Sequence, residues 1–165
     1  MQSIEKLEHY FEFEVPAIIK KLEANTQPEW GSMHATKMLD HLSDALKLSM
    51  GIFNIPEEMI LEKAEKYKAI TLLSDRPIPK GFDNPILKLL IKTGEIAFID
   101  ANERLIDNWQ LFKQTFNNEG GNFKTPHNIF GFLNYQEWAW FHYKHFSHHF
   151  AQFGLINYVE RFSLQ

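Results

Sequence analysis

The feature that most constrains this chain is a strongly periodic segment, residues 134–154, which carries four of the eight histidines. Wound as an α-helix at about 100° per residue, the segment collects Trp138, His142, His145 and His149 on one face. Imidazole is usually only partly buried, and each buried ring nitrogen needs a hydrogen-bond partner. Three imidazoles on an apolar face therefore need a shared partner, and a metal ion can be that partner.

Two explanations without a metal compete with this one. A single inward histidine is more often a hydrogen-bonded core residue, and the same helix is rich enough in aromatic rings to form a stacked aromatic–imidazole core. His145 and His149, however, stand four residues apart, which is the spacing of two-histidine zinc clamps on a helix. The helical wheel also predicts that Lys144 and Trp140 point outward and that His148, on the flank, is partly exposed.

Composition excludes several classes of protein. The chain has 165 residues, 44% of them hydrophobic and 15 of them phenylalanine, which predicts one globular domain over residues 1–165 with a sizeable core. The net charge of −4, without a basic block, argues against nucleic acid as a partner. There is no cysteine, so disulfides, cysteine–zinc sites, iron–sulfur clusters and a cysteine nucleophile are excluded. No apolar signal sequence or membrane-spanning run is found, which predicts a cytoplasmic protein that does not enter a membrane.

Apolar residues recur at helical spacing in four segments, residues 3–25, 33–50, 95–117 and 134–154. Pro16 is expected to kink or split the first of these helices. Asn134 and Glu137 are placed to form a capping box at the start of the fourth.

The connections between these segments set the predicted topology. Helices 1 and 2 are joined by a short polar loop and should be antiparallel. The long connection at residues 52–93, with shorter helices expected after Pro56 and at 85–92, allows helices 2 and 3 to run parallel. Residues 117–133 are predicted to be a loop without strands. The prediction is an all-α four-helix bundle, down–up–up–down, with a long crossover between helices 2 and 3 and with helices 2 and 4 antiparallel.

That topology supplies a third ligand. His41 is expected about 12 Å from the start of helix 2, and His149 and His145 about 7 and 13 Å from the end of helix 4, at about 1.5 Å per residue. These levels coincide in antiparallel helices, so the three imidazoles can converge on one ion. Three neutral imidazoles plus water make an open site of the catalytic type. The competing interpretation of His41 is a hydrogen bond to a carboxylate such as Asp44.

These residues resemble a known family. His41 in the second helix, together with HFSHHFAQ at 145–152, is similar to the DinB/YfiT-like superfamily of metal-dependent bundles. Further stretches resemble an uncharacterised branch of that superfamily and read WGSM at 30–33, MLDHL at 38–42, KTPH at 124–127, FG at 130–131, EW at 137–138 and QFGL at 152–155. The resemblance spans nearly the whole chain. It implies the down–up–up–down bundle, a divalent ion, often zinc or nickel, held by His41, His145 and His149, and frequent homodimers.

Two functions are compatible with these expectations. The first is a divalent-metal-dependent enzyme in which the ion activates water for hydrolysis, or a small thiol for transfer to a small-molecule substrate, the thiol chemistry being implied by the resemblance. The second is a non-catalytic helical bundle that binds a small apolar ligand or a protein partner. No residue is assigned a catalytic role, although Asp44 is a weak candidate for a general base. A homodimer is expected from the resemblance and from the predicted outward position of Trp140.

The remaining histidines receive separate interpretations. His142 is either an outer hydrogen-bond donor to a metal ligand or an alternative ligand, His127 is structural, and His9 and His34 are solvated. The chain contains no HExxH, GxGxxG, P-loop or GxSxG motif. These absences leave a zincin protease, a dinucleotide site, a phosphate loop and a serine hydrolase without support.

Overall fold

The computed structural model describes residues 1–81 and 97–157, which form a mostly helical protein with one small β-hairpin. The helices are α1 (Ile4–His9), α2 (Val15–Ile19), α3 (Ala35–Ser49), α4 (Ala64–Tyr67), α5 (Phe98–Glu119) and α6 (Tyr135–Gln152); the strands are β1 (Thr125–His127) and β2 (Gly131–Leu133). Two π-helical segments, Tyr10–Glu14 and Lys68–Leu72, and a 3-10 helix, Glu57–Met59, are also present. The helix expected at 85–92 and the end of the tail, 158–165, lie outside the described residues. None of the described helices is both long and apolar enough to cross a bilayer.

The long predicted helices are present with boundaries shifted by a few residues, as α3, α5 and α6. The first predicted helix is helical only over residues 4–19, and Pro16 stands in the first turn of α2, directly after the π-helical segment Tyr10–Glu14. Proline removes a backbone donor and cannot continue a regular α-helix, so the hydrogen-bond pattern changes before it. What was expected at Pro16, a kink or a split, is seen only as a change of helix type, since the chain stays helical from residue 4 to residue 19.

The expectation that residues 117–133 contain no strand is wrong, and the all-α prediction holds only in the coarser form of a mostly helical protein with a small hairpin. Strands β1 and β2 pair antiparallel in the register Thr125↔Leu133, Pro126↔Phe132 and His127↔Gly131. Three-residue strands are too short to show the alternation that identifies a strand in a sequence, and a proline within one argues against it. The hairpin is stabilised instead by tertiary contacts.

Thr125 provides the contacts that hold the hairpin. Its hydroxyl donates a hydrogen bond to the carbonyl of Ser49, at the end of α3, with an O···O distance of 2.6 Å. The same oxygen accepts a hydrogen bond from Nε1 of Trp138 in α6 at 2.8 Å. The start of the hairpin is thus joined to α3 and α6 at once, at the end of these helices away from Trp30 and Gln152.

Side-chain contacts show how the long helices run. On α3, His41 contacts His145 of α6, and the later Ser49 contacts the earlier His142, so α3 and α6 are antiparallel, as predicted. This direction places the middle of α3 level with the last turns of α6.

Helices α3 and α5 are held together by polar contacts in their interface. Asp40 forms an ion pair with Arg104, and Ser43 accepts a hydrogen bond from Nδ2 of Asn108 at 2.6 Å. The contact residues advance together along both helices, so α3 and α5 run in the same direction. The asparagine and the serine are both buried, and each satisfies the other.

Helix α6 is buried on nearly every side, which the helical wheel did not predict. Trp140, expected to point outward, is 0% exposed, and its Nε1 donates a hydrogen bond to the carbonyl of Leu72 at 2.7 Å. Lys144 is also buried, and its Nζ donates to the carbonyls of Thr71 and Leu72 at 2.8 and 3.2 Å. The π-helical segment Lys68–Leu72 covers this face of α6. The prediction of an outward Trp140 is therefore wrong, and that residue no longer supports a dimer interface.

The capping box predicted at the start of α6 is confirmed. The Asn134 side chain accepts from the backbone N–H of Glu137 at 3.0 Å, and the Glu137 carboxylate accepts from the backbone N–H of Asn134 at 2.9 Å. Two donors that an isolated helix leaves unpaired are satisfied in this way.

Replacing Asn134 with alanine is expected to lower the free energy of unfolding by about 1 kcal/mol, the usual cost of losing such a cap. Asn122, an exposed loop asparagine, gives the matched control, and Asn122→Ala should leave that free energy unchanged within about 0.5 kcal/mol. Urea unfolding of the two variants measures both values. Equal stability of the two variants would show that the capping box does not stabilise α6.

Candidate metal centre

Three imidazoles converge at one point between α3 and α6. Nε2 of His145 lies 2.9 Å from Nε2 of His41 and 3.1 Å from Nε2 of His149. One nitrogen from each of the three rings lies within 4.8 Å of the others, close enough for all three to hold a single metal ion. The structure thus brings together the three residues predicted as ligands.

Helix geometry explains how these side chains meet. His145 and His149 are one turn apart on α6 and so project from the same face. His41 reaches them from α3, which passes α6 in the opposite direction. Because both backbones are fixed by buried apolar residues on either side, the rings are positioned by the scaffold and not by a loop.

The separations of the nitrogens fit a shared ion. Two nitrogens that each lie about 2.0–2.1 Å from an ion, with an angle of about 90–109° between them, are about 2.8–3.4 Å apart. The two distances from Nε2 of His145, 2.9 and 3.1 Å, lie within that range.

Hydrogen bonds between the three rings do not satisfy all of their Nε2 atoms. Nε2 of His145 faces both other rings, but a neutral imidazole nitrogen carries either one hydrogen or one lone pair and cannot pair fully with two neighbours. Its other nitrogen, Nδ1, is buried and has no hydrogen-bond partner among residues 1–81 and 97–157. A cation that accepts all three lone pairs resolves the conflict among the Nε2 atoms, so the donor set fits a metal.

Burial keeps the three rings neutral. It lowers the pKa of His41 to about 4, with further contributions from the positive charges of Lys37 and His148. It lowers the pKa of His149 to about 3 and that of His145 well below its usual value, and mutual repulsion among the rings adds to both effects. Neutral imidazole is the form that binds metals, so the site needs to lose no proton at neutral pH to take up an ion.

One side of the site is formed by two loops that are far apart in the sequence. The ring of His148 packs edge-on against His149, with 5.2 Å between centroids, and meets Trp30 edge-on at 6.0 Å. Nζ of Lys80 lies 3.9 Å from the centre of the Trp30 ring, a cation–π distance. Sequence reasoning assigned both loops as connections and missed that they meet here, because no periodic signal links distant loops.

The burial of His148 differs from what the helical wheel predicted. His148 was predicted to be partly exposed, but only 7% of its surface is accessible. Its Nδ1 lies 3.2 Å from the carbonyl oxygen of Ile78, an acceptor that makes Nδ1 the donor. The loop that carries Ile78 covers this flank of α6, which explains the burial.

His142 and His127 lie outside the three-histidine cluster. Nε2 of His142 lies 3.0 Å from the hydroxyl oxygen of Ser49, and its ring stacks on Trp138 at 5.6 Å. Nδ1 of His127 accepts a hydrogen bond from the backbone N–H of Ile129 at 3.0 Å, which agrees with a structural role. Neither ring contributes to the group of nitrogens that can share an ion.

The exposed histidines behave as expected. His9 is exposed and stacks on Phe13, and His34 is exposed and accepts a hydrogen bond from the backbone N–H of Lys37, where it caps the start of α3. Capping by a histidine ring was not predicted, because serine, threonine, aspartate and asparagine are the usual capping residues.

Asp44 is engaged away from the imidazoles. Its Oδ1 lies 3.2 Å from Nζ of Lys47 and 3.7 Å from the guanidinium of Arg104. Burial raises the pKa of this carboxyl group, and the hydrogen bond from Lys47 opposes the rise. Nε2 of His41 contacts Nε2 of His145, and the ring of His41 packs edge-on against that of His149. These contacts give no support to the alternative in which His41 is hydrogen-bonded to Asp44.

Comparisons of the chain with protein-family models, with curated proteins and with solved structures found no match. Any assignment of function therefore depends on the geometry and chemistry of the site itself.

Proposed function

We propose that this protein is a divalent-metal-dependent enzyme whose ion is held by His41, His145 and His149. The observation that carries the proposal is the convergence of three imidazole nitrogens, from two half-buried rings and one buried ring, on two antiparallel helices. Structural zinc sites usually close with four protein ligands, whereas catalytic sites keep three and leave a position open for water or substrate. The described part of the chain brings three such ligands to this point, which is the catalytic pattern.

Zinc or nickel is the proposed ion. Imidazole suits zinc, nickel, copper and iron alike, so the preference rests on the resemblance to the DinB/YfiT-like superfamily. The fold proposed with it is the down–up–up–down four-helix bundle of that superfamily. The antiparallel contacts of α3 with α6 and the parallel contacts of α3 with α5 support that topology.

The proposed reaction is hydrolysis, or transfer of a small thiol to an electrophilic small-molecule substrate. A bound divalent ion supplies a nucleophile by lowering the pKa of a water or thiol that it coordinates. The protein contributes neutral ligands and a partly apolar surrounding, in which the ring of Phe141 lies 5.3 Å from that of His145. An apolar neighbour limits the access of bulk water on that side of the site.

A second candidate function is a non-catalytic bundle that binds a small apolar ligand or a protein partner. The position of Asp44 favours this function. Asp44 is the one carboxylate considered as a general base, and it is paired with Lys47 and Arg104 instead of facing the imidazoles. A metal-activated nucleophile does not strictly require a protein base, so this observation weighs less than the open three-ligand site.

We propose further that the protein acts in the cytoplasm, without a nucleic-acid or membrane partner, and as a homodimer. The dimer now rests on the resemblance alone, since Trp140 is covered.

Replacing the proposed ion with cobalt(II) tests whether the metal has an open coordination position. Cobalt(II) occupies zinc sites, and its visible spectrum reports the coordination number and the binding of a thiolate. Protein purified without a metal-affinity column is stripped of metal, loaded with cobalt(II), and titrated separately with 2-mercaptoethanol and with base. We expect a sulfur-to-cobalt charge-transfer band in the first titration, or a spectral transition near pH about 7 from a bound water in the second.

The outcome separates the two candidates. A cobalt spectrum that responds to neither thiol nor pH would indicate a closed, structural site and favour the non-catalytic bundle. Failure of the stripped protein to bind cobalt(II), zinc or nickel would contradict the proposed metal centre itself.

A further inference from the structure

Gln152, in the last turn of α6, links the metal centre to a neighbouring loop. Its side-chain Oε1 lies 2.8 Å from Nδ1 of His149, and its side-chain Nε2 donates a hydrogen bond to the backbone carbonyl of Trp30 at 2.8 Å. Its own backbone carbonyl accepts from the backbone N–H of Glu29 at 2.7 Å. Three hydrogen bonds therefore fix one glutamine between His149 and the Glu29–Trp30 turn.

The contact with Trp30 determines which way the amide points. A carbonyl oxygen can only accept, so the amide atom that faces it must be the NH2 group. The opposite orientation would place two oxygens against each other across 2.8 Å. The oxygen of Gln152 therefore faces His149. This assignment follows from the hydrogen bonds that the amide makes to Trp30 and His149.

The orientation of the amide in turn determines the tautomer of His149. Because Oε1 can only accept, Nδ1 of His149 must carry the hydrogen. A neutral imidazole carries one hydrogen, so Nε2 of His149 has its lone pair free and directed at the other two rings. That nitrogen is the one that an ion would use.

The loop is built to approach Gln152 closely. Gly31 has φ +77°, and a Cβ atom at this position would lie 2.8 Å from Nε2 of Gln152. A side chain there would both be strained and push the amide out of line. A glycine next to Trp30 thus allows the carbonyl of Trp30 to reach the glutamine.

We propose that Gln152 is a positioning residue that holds His149 in the tautomer with a free Nε2 lone pair and in the orientation required for metal binding, with its own amide oriented by the carbonyl of Trp30. This inference rests on the proposed metal centre for its consequence, but the tautomer itself is a property of the metal-free protein. Outer hydrogen-bond partners of metal ligands set ligand orientation and basicity, and their loss typically weakens metal binding about 10–100-fold.

Two substitutions of Gln152 separate positioning from packing. Gln152→Met keeps the length of the side chain but offers no oxygen to His149, and we expect it to weaken zinc binding about 10–100-fold. Gln152→Glu keeps an oxygen acceptor for Nδ1 but places its second oxygen against the carbonyl of Trp30, so it should lower stability while zinc affinity stays close to that of the unaltered protein. Isothermal titration of stripped protein with zinc measures both, and thermal melting of the metal-free variants measures any loss of packing.

Gln136 provides a matched control on the same helix. Its side-chain Nε2 donates a hydrogen bond to the backbone carbonyl of Gln2 at 3.2 Å, and it lies at the opposite end of α6 from the cluster. Gln136→Met should leave zinc affinity unchanged. Equal losses of zinc affinity in Gln152→Met and Gln152→Glu, or an equal loss in Gln136→Met, would overturn the proposal.

Nitrogen-15 chemical shifts of the imidazole rings in metal-free protein test the tautomer directly, with the signals of His149 assigned by their loss in His149→Ala. We expect hydrogen on Nδ1 in the unaltered protein and in Gln152→Glu, and a shift of hydrogen towards Nε2 in Gln152→Met. Hydrogen on Nε2 in the unaltered protein, or an unchanged tautomer in Gln152→Met, would refute the positioning role. If the unaltered protein binds no zinc, the metal proposal fails, whereas the chemical shifts still decide the role of Gln152.

Discussion

Replacing His145 with alanine is expected to abolish binding of a divalent ion to this protein. Nε2 of His145 is the central nitrogen of the cluster, about 3 Å from both of the others, at 2.9 Å from His41 and 3.1 Å from His149. Two imidazoles without the third form a much weaker site. Loss of a residue that only hydrogen-bonds to a ligand lowers metal affinity by up to about 100-fold, and loss of a ligand itself should lower it further. His41→Ala and His149→Ala should have similar effects. Zinc titration of stripped protein at pH 7 measures each loss.

Two histidines outside the cluster serve as controls. His9→Ala removes an exposed ring, and His127→Ala removes a buried ring whose nitrogen is bonded to the backbone of Ile129. Neither should change the affinity for zinc, although the second should lower stability. Zinc binding that persists in His145→Ala, or that disappears in His9→Ala, would show that the ion is held elsewhere.

The second large effect expected is a steep loss of stability in mild acid. Burial lowers the pKa of His127 and of His142 to about 3, whereas an unfolded chain has histidines near about 6.5. Between these values the unfolded state binds protons that the folded state does not. The stability from keeping these rings neutral is therefore complete above about pH 6.5 and is lost as the pH falls towards about 3.

The size of the effect follows from the number of protons. Each such histidine changes the free energy of unfolding by up to about 1.4 kcal/mol per pH unit, so the two together give about 2.7 kcal/mol per unit. Metal-free protein should lose more, because burial also lowers the pKa of the three rings of the cluster. Urea unfolding at pH 7, 6 and 5 measures the slope.

His127→Gln separates proton uptake from simple loss of packing. The variant should be less stable at pH 7, yet its stability should fall less steeply with acid, by about 1.4 kcal/mol per pH unit. Phe130→Leu is the matched control, because Phe130 packs against the His127 ring at 4.7 Å and carries no proton. It should lower stability while leaving the slope as it is. An unchanged slope in His127→Gln would refute the assigned role of this ring.

Much of the helical framework could be predicted from residue patterns. The spacing of apolar residues located α3, α5 and α6, and the Asn134 and Glu137 pair predicted the start of α6. These features are local, since a helix and its caps depend on residues within a few positions of one another. The three converging histidines were also predictable, because depth along two antiparallel helices depends only on the rise per residue.

The features that could not be predicted depend on contacts between distant segments. Trp140 was expected outside because a helical wheel shows the strongest apolar stripe and not a second surface that covers the other face. Its partner, the carbonyl of Leu72, lies 68 positions earlier in the sequence. The hairpin at residues 125–133 is likewise held by contacts with Ser49 and Trp138, and no residue pattern within the hairpin predicts these contacts.

In the metal centre, too, the local features could be predicted and the contacts between distant segments could not. Spacing identified His145 and His149, but Gln152, which contacts His149, is held by Trp30, 122 positions before it in the sequence. Gly31 is the one local signal, since glycine is the usual residue where a loop backbone adopts a positive φ or approaches another group closely. Only the fold identifies the group that it approaches.

The most direct measurement of the central claim is a crystal structure of the protein grown with added zinc or nickel, with anomalous scattering recorded at the absorption edge of the metal. The account predicts one anomalous peak bounded by Nε2 of His41, His145 and His149, each about 2.0–2.2 Å from the ion, with a further position taken by water or a small molecule. Nδ1 of His149 should remain hydrogen-bonded to Gln152. Three ring nitrogens too far apart to share one ion, in crystals grown with that metal in excess, would contradict it.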